Sequence, residues 1–302
     1  MSTYCVKFLH PGGEHQPDSR SSDHKAWNDG PHRRKFMVGA GQIIDRDGGR
    51  PRSSRISFWG EWEPPSTIVH SFGQESRMPQ YVHEPFLEFP EHHNSLQNTD
   101  PFVFGDRFRY TVCRQYARGN PTILRDLPEG SVILFGSCVG GKFALDTVFV
   151  VDRGSFLWNH ESRPEQVEGD TDTIYLDATI NRLQADKTYR LYSGVRYEDR
   201  KQFGGIYSFV PCQVLNGEFS RFSRPVVDLP DIGHRQTQGY KILSREEDRS
   251  KTIWKEVVRQ VLEQECALAT SIKMPARVGE RISSVATGRG DSCVPIDKLI
   301  VC

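Results

Sequence analysis

Short runs of β-branched, aromatic and other apolar residues recur along this chain and predict a protein built mainly from strands. Successive side chains of a strand point to opposite faces, so runs of this kind bury one face against a core. Glycine and proline punctuate the runs and favour turns between them. The predicted strands cover residues 4–9, 35–44, 55–62, 132–135, 143–151, 174–176, 189–192 and 205–210.

Two pairs of these strands are predicted to form hairpins. Residues 35–44 and 55–62 flank the turn-rich segment DRDGGRPRSS, which suits a long hairpin tip. Residues 132–135 and 143–151 flank Gly140 and Gly141, and two adjacent glycines favour a tight turn.

One long helix is predicted, over residues 245–273. Ser244 and Glu247 have the spacing of a capping box, in which two side chains satisfy the first free backbone N–H groups. Apolar residues then recur every three or four positions, and Pro275 ends the pattern. The inventory predicts an α+β fold in a single β-rich domain over residues 1–275, with a barrel core at about 105–230. Residues 276–302 lack periodicity and are predicted to be a weakly ordered tail.

Composition narrows the functional classes. The 39 Lys and Arg balance 39 Asp and Glu, whereas proteins that coat duplex phosphate are usually basic. The seven cysteines include no CxxC pair, which argues against a disulfide framework or a zinc ribbon. The chain opens without a signal-peptide pattern and contains no apolar run of about 18 residues. We therefore expect a cytoplasmic protein that does not associate with membranes and needs no metal or cofactor.

The segment FWGEWEPPS at residues 58–66 is the first candidate site. In a strand, Trp59, Glu61 and Glu63 point to one face, while Phe58 and Trp62 point to the other. An aromatic ring can stack on a nucleobase, and a carboxylate can accept a hydrogen bond from the amine or ring N–H of the base. The alternative is that both tryptophans belong to the core and both glutamates lie at its rim.

Five further residues are candidates. His10 and His15 flank a glycine turn and suit acid–base work or a loop that caps a pocket, although no second pair with metal-ligand spacing accompanies them. Asn98 and Asp100 precede Pro101 and can read a base edge or form an ordinary turn. Arg114 is the candidate for a phosphate contact.

Residues 127–151, which read LPEGSVILFGS, a glycine turn and then GKFALDTVFVV, resemble the PUA-like barrels, including the EVE and ASCH modules. The ASCH motif G-x-K-x-x-E-x-R is missing, so its pocket residues are not carried over. The combination of FWGEWEPPS, an aromatic barrel and a terminal helix also resembles the nucleotide-modification-associated domains. These resemblances imply a PUA-like β-barrel core with N-terminal elaborations and a C-terminal helix, and a role in making, reading or restricting modified bases.

The expected function is nucleobase or nucleic-acid binding, associated with modified-base DNA in a modification or restriction context. Trp59, Glu61, Glu63, Asn98, Asp100 and Arg114 would bind the ligand. The alternative is an enzyme on nucleotides or nucleic acid, with Glu61 or Glu63 as general base and His10 or His15 as acid. A protein-interaction module is a third possibility, and the residues alone do not decide whether a reaction occurs.

Overall fold

The computed structural model describes residues 3–17, 24–25, 27, 32–46, 49–73, 75, 78–88, 97–159, 173–180, 187–230, 232 and 239–277. Strands dominate this part of the chain. They are β1 (Cys5–Leu9), β2 (His24–Lys25), β3 (Lys35–Ile44), β4 (Arg52–Gly60), β5 (Ser66–Ser71), β6 (Tyr81–Pro85), β7 (Arg109–Tyr110), β8 (Tyr116–Ala117), β9 (Asn120–Pro121), β10 (Val132–Val139), β11 (Lys142–Val150), β12 (Phe156–Trp158), β13 (Tyr189–Ser193), β14 (Val210–Val214), β15 (Gly239–Ser244) and β16 (Ala267–Ile272). The helices are α1 (Thr173–Ala178) and α2 (Glu247–Glu263), with 3₁₀ turns at Ile123–Arg125 and Arg200–Phe203.

Four strands close into a ring. β3 and β4 form the first predicted hairpin, with Lys35 opposite Gly60 and Ile43 opposite Arg52. β14 pairs with β4, β16 pairs with β14, and β16 returns to pair with β3. The same sheet continues from β3 through β6 and β5 to β2. Of the ring strands, only β14 falls within residues 105–230.

A second sheet has the order β11–β10–β1–β15. β10 and β11 form the second predicted hairpin, and Gly140 and Gly141 supply the positive φ angles of its turn. β1 pairs in parallel with β10, from Cys5 opposite Val132 to Leu9 opposite Gly136. Parallel pairing places the carboxyl end of β1 beside the middle of β10, which brings His10 next to the interior of this sheet.

The predicted helix over 245–273 is too long. α2 ends at Glu263, Glu265 has a positive φ of 60°, and the following residues form β16. The segment ALATSI completes the ring through hydrogen bonds to two strands, and that pairing overrides the helical spacing. The capping box does not form either: the N-cap is Glu246, and the Ser244 hydroxyl accepts from the Glu246 N–H instead.

Two strand predictions are also wrong in detail. Residues 174–176 lie in α1 and do not form a strand. The strand predicted over 205–210 begins only at Val210 and continues to Val214, after a segment that starts with the positive-φ residue Gly205. Of the predicted tail, residues 278–302 lie outside the described part of the chain, while Leu87 and Ala276 share a backbone hydrogen bond.

The core consists of two groups of buried apolar residues. α2 buries the stripe that its sequence predicted against one of them, and the indole N–H of Trp254 donates to the carbonyl of Tyr207 at 2.9 Å. The buried stripe contains Ile253, Trp254, Val257, Val258 and Val261. A β-rich fold with a C-terminal helix is therefore confirmed. Neither helix in the described segments is long and apolar enough to cross a membrane.

Candidate functional site

A group of charged side chains lies in the protein interior where several strands end. We call His10, Arg34, Glu61, Glu63 and Asp146 the charged centre; all five are buried. The β3–β4 register places Arg34, just before β3, beside Glu61, just after β4. β11 supplies Asp146, and β1 leads into His10.

Arg34 connects two buried carboxylates. Its Nη1 lies 2.5 Å from Oε1 of Glu61, and its Nε donates to Oδ2 of Asp146 at 2.7 Å. Only 1% of the Arg34 side chain is exposed. A second arginine, Arg224, approaches Asp146 at 3.4 Å and donates to the Ser137 hydroxyl at 2.9 Å. A rigid guanidinium fork suits this arrangement because it can hold two acids at fixed separation.

The two glutamates of the charged centre have opposite pKa shifts. Burial alone would raise the pKa of Glu61, but the charges of Arg34 and His10 outweigh burial and hold it well below its ordinary value. Burial raises the pKa of Glu63, against a hydrogen bond from His32 at 3.2 Å. Glu61 is therefore the ionised partner and Glu63 the more easily protonated one, a separation typical of sites that handle protons.

Several polar atoms of the charged centre have no hydrogen-bond partner among the described residues. They include Nε2 of His10, Oε2 of Glu61 and Oε2 of Glu63. Although Nδ1 of His10 lies 2.8 Å from Oε1 of Glu61, neither ring nitrogen makes a hydrogen bond of good geometry. Burial lowers the pKa of His10, against the charge of Glu61, so the neutral ring is favoured. Buried polar atoms are nearly always satisfied, and these exceptions need a physical explanation.

Asp100 holds the loop beside the charged centre. Its carboxylate accepts hydrogen bonds from the backbone N–H groups of Thr111, Val112 and Cys113 at 2.6–3.0 Å. Burial raises the pKa of Asp100 to about 7, although these hydrogen bonds oppose the shift. Cys113 is half-buried as a residue, but its thiol is enclosed, and burial together with the charge of Asp100 raises its pKa well above the ordinary value.

Trp59 occupies a packed position. The indole N–H donates to the carbonyl of Phe222 at 3.1 Å, and the Arg224 guanidinium lies 4.9 Å from the ring centroid. The Phe36 ring lies 5.4 Å away, and the tryptophan is 4% exposed. The structure thus does not place Trp59 on an open surface beside Glu61, and Arg224 is the charged group that stacks on it.

The other predicted site residues are dispersed around the charged centre. The His15 ring stacks on that of His83 at 6.3 Å. Asn98 is half-buried and adjoins Thr99, whose hydroxyl accepts from the N–H of Glu63 at 3.1 Å. Arg114 is exposed, follows Cys113 and has a positive φ of 60°. Of the predicted residues, the structure brings His10 and Glu61 together.

Sequence reasoning missed Arg34, Asp146 and Arg224 as members of this region. Asp146 had a usable signal, since it is the single acid within the apolar run FALDTVFVV and a buried acid requires a partner. Arg34 lies in the basic string HRRK, where nothing separates an interior arginine from a surface one.

Comparisons with protein-family models, curated proteins and solved structures give no match for this chain. The resemblance to PUA-like barrels and to nucleotide-modification-associated domains therefore stays a prediction.

Proposed function

We propose that this protein binds a nucleobase at the charged centre, as a nucleotide or within nucleic acid. The observation that carries the proposal is the set of buried atoms without partners: Nε2 of His10, Oε2 of Glu61 and Oε2 of Glu63. Because unsatisfied buried polar atoms cost about 1–3 kcal/mol each, a ligand that supplies complementary groups gains that free energy on binding.

The two glutamates suit the edge of a base. Ionised Glu61 can only accept hydrogen bonds, so it pairs with an exocyclic amine or ring N–H. Glu63, with its raised pKa, can also donate when protonated, and so pairs with a ring nitrogen or a carbonyl. The pair therefore favours a base edge that presents a donor and an acceptor side by side.

Phosphate and stacking contacts are assigned to the rim. Arg114 is exposed next to Cys113, where its guanidinium can contact a phosphate or a base face. Extruding a base from a duplex costs a few kcal/mol. Because Trp59 is packed in the core and does not stack on the base, hydrogen bonds to the base edge must offset this cost. The association with modified-base DNA, in a modification or restriction context, follows from the family resemblance.

An enzyme that acts on nucleotides or nucleic acid is the second candidate. The observation in its favour is that the pKa values of Glu61 and Glu63 are driven apart beside His10. Such a separation provides one carboxyl group that stays ionised and another that takes up a proton more easily. In this candidate Glu63 exchanges the proton, and Glu61 orients His10.

The test is calorimetric titration of the full chain with nucleoside monophosphates and short oligonucleotides, each with modified and unmodified bases. Glu61→Gln and Glu63→Gln replace an acceptor with an amide of the same shape, and Glu218→Gln on an exposed residue is the matched control. We expect each centre variant to lose about ten- to a hundredfold in affinity for the preferred base. Chromatography of the same mixtures detects turnover, which would favour the enzyme. Unchanged affinity in both centre variants, with the fold intact, overturns the proposal.

A further inference from the structure

Three side chains that ligate transition metals converge at the edge of the charged centre. They are His10 after β1, Glu61 after β4 and Cys113 in the loop after β7. One ligand atom from each lies within 4.8 Å of those of the other two. These side chains come from three segments that are distant in the sequence, so it is the fold that brings them together.

From this geometry we propose that His10, Glu61 and Cys113 bind one Zn²⁺ ion. An imidazole nitrogen, a carboxylate oxygen and a thiolate sulfur form a donor set typical of zinc, whereas Ca²⁺ and Mg²⁺ prefer oxygen ligands throughout. Three protein ligands leave the fourth tetrahedral position for water, as in zinc sites that act on substrates. The proposal goes beyond base binding and does not depend on it. Both ligands would use Oε2 of Glu61, so the ion and the base would compete for this atom.

Unsatisfied atoms at the same place support the ion. Within the described part of the chain, Nε2 of His10 and Oε2 of Glu61 have no hydrogen-bond partner, while Nδ1 of His10 lies 2.8 Å from Oε1 of Glu61. Both residues are more than nine-tenths buried. Arg34 engages Oε1 of Glu61 and so leaves Oε2 for a second cation. A metal ion that accepts one lone pair from the His10 ring and one from Oε2 of Glu61 would give both groups a partner.

The surrounding contacts suit the outer shell of a metal site. Arg34 holds Glu61 and Asp146 together, and ligating carboxylates in proteins are commonly held by such hydrogen bonds. Cys113 lies in a loop fixed by three hydrogen bonds to Asp100, and its Sγ is 3.5 Å from the Asp100 carbonyl oxygen. On binding Zn²⁺ the thiol releases its proton to solvent and the sulfur ligates as thiolate.

The distances require a modest closure. With bonds of about 2.0–2.3 Å, ligand atoms in a tetrahedral zinc site lie about 3.3–3.8 Å apart. Here the three ligand atoms lie within 4.8 Å of one another, which is about 1 Å longer. Rotation of the Cys113 or Glu61 side chain can close this gap.

The experiment uses the full chain, stripped with a chelator and titrated with Zn²⁺ against a chromophoric competitor, and separately with Co²⁺. We expect the wild-type chain to bind one equivalent of Zn²⁺ through Cys113. We expect its Co²⁺ complex to show a thiolate-to-metal charge-transfer band. Cys113→Ser should remove that band and lower the affinity for this Zn²⁺ ion at least a hundredfold. Loss of an outer-shell partner has a smaller effect. The matched control Cys138→Ser, another half-buried cysteine, should retain both.

Three results would overturn the metal proposal: no zinc bound by the wild-type chain, a cobalt spectrum without the thiolate band, or a Cys113→Ser variant that keeps full affinity. The wild-type cobalt spectrum decides even if the serine variant fails to fold. Nucleotide titration of the chelator-treated chain tests base binding separately, so failure of one proposal leaves the other measurable.

Discussion

Arg34→Met is the substitution that most directly tests the energetics of the charged centre. It removes the guanidinium between Glu61 and Asp146 while keeping the apolar stem of the side chain. Among the described residues, Glu61 then keeps His10 at 2.8 Å, and Asp146 keeps Arg224 at 3.4 Å and the Ser137 hydroxyl at 3.5 Å. Breaking a buried ion pair from one side costs about 3–5 kcal/mol, because the remaining charge is uncompensated. We expect a loss of that size in the free energy of unfolding near pH 7.5.

The stability lost in Arg34→Met should depend on pH, and the pKa of Glu61 determines the direction of this dependence. In the wild-type chain the pKa of Glu61 lies well below its unfolded value, so its contribution to stability is present above about pH 4.3 and declines as the pH falls further. Without Arg34, burial raises that pKa, and the variant takes up a proton at higher pH. The stability gap between the two proteins should therefore narrow as the pH falls from 8 towards the unfolded glutamate value of about 4.3, by at most about 1.4 kcal/mol per pH unit.

Urea unfolding followed by tryptophan fluorescence measures both effects. With a slope of about 3 kcal/mol per molar, the midpoint of Arg34→Met should fall by about 1–2 M at pH 7.5. Arg52→Met is the control, because Arg52 pairs with Asp45 at 3.2 Å with both side chains about half exposed. Exposed pairs contribute about 0–1 kcal/mol. A cost below 1 kcal/mol for Arg34→Met, or a gap that does not change with pH, would refute the reasoning.

Three other substitutions probe the packing around the charged centre. Trp59→Ala should cost about 3–5 kcal/mol in stability, and a thermally unchanged variant would show that the indole is not packed as described. Gly136→Ala should cost about 2 kcal/mol or more by urea unfolding, since a Cβ there would meet the carbonyl oxygen of Ala144; a neutral result would contradict the bulge at this position. Asp100→Ala should cost about 3 kcal/mol and speed hydrogen exchange at Thr111–Cys113, and unaltered exchange there would count against its bracing role.

Local patterns predicted the hairpins well. The β10–β11 pair needed only two short runs of β-branched and aromatic residues and two turn glycines, all of which lie within a short stretch of sequence. Residues 267–272 could not be assigned in the same way, because their strand state comes from pairing with β3 and β14, which are distant in the chain. Neighbouring strands decide such segments more than their own propensity does.

The candidate site was predicted in part. The sequence predicts Glu61 and Glu63 as site residues because both acids stand in an aromatic segment, and it predicts His10 separately. Their meeting depends on β1 pairing with β10 and on the β3–β4 register, which no local pattern encodes. The prediction that Trp59 stacks on a ligand assumed a strand that continues through Glu63. The strand ends at Gly60, and the Trp59 ring is covered by the Arg224 guanidinium from a remote segment.

Hydrogen–deuterium exchange of the full chain, with and without a saturating nucleotide, tests the central claim most directly because it locates the bound base. We expect slower exchange at residues 61–63 and 111–114, which carry the acids, Cys113 and Arg114. Saturable binding that leaves both segments unchanged and protects another surface would contradict a base site at the charged centre.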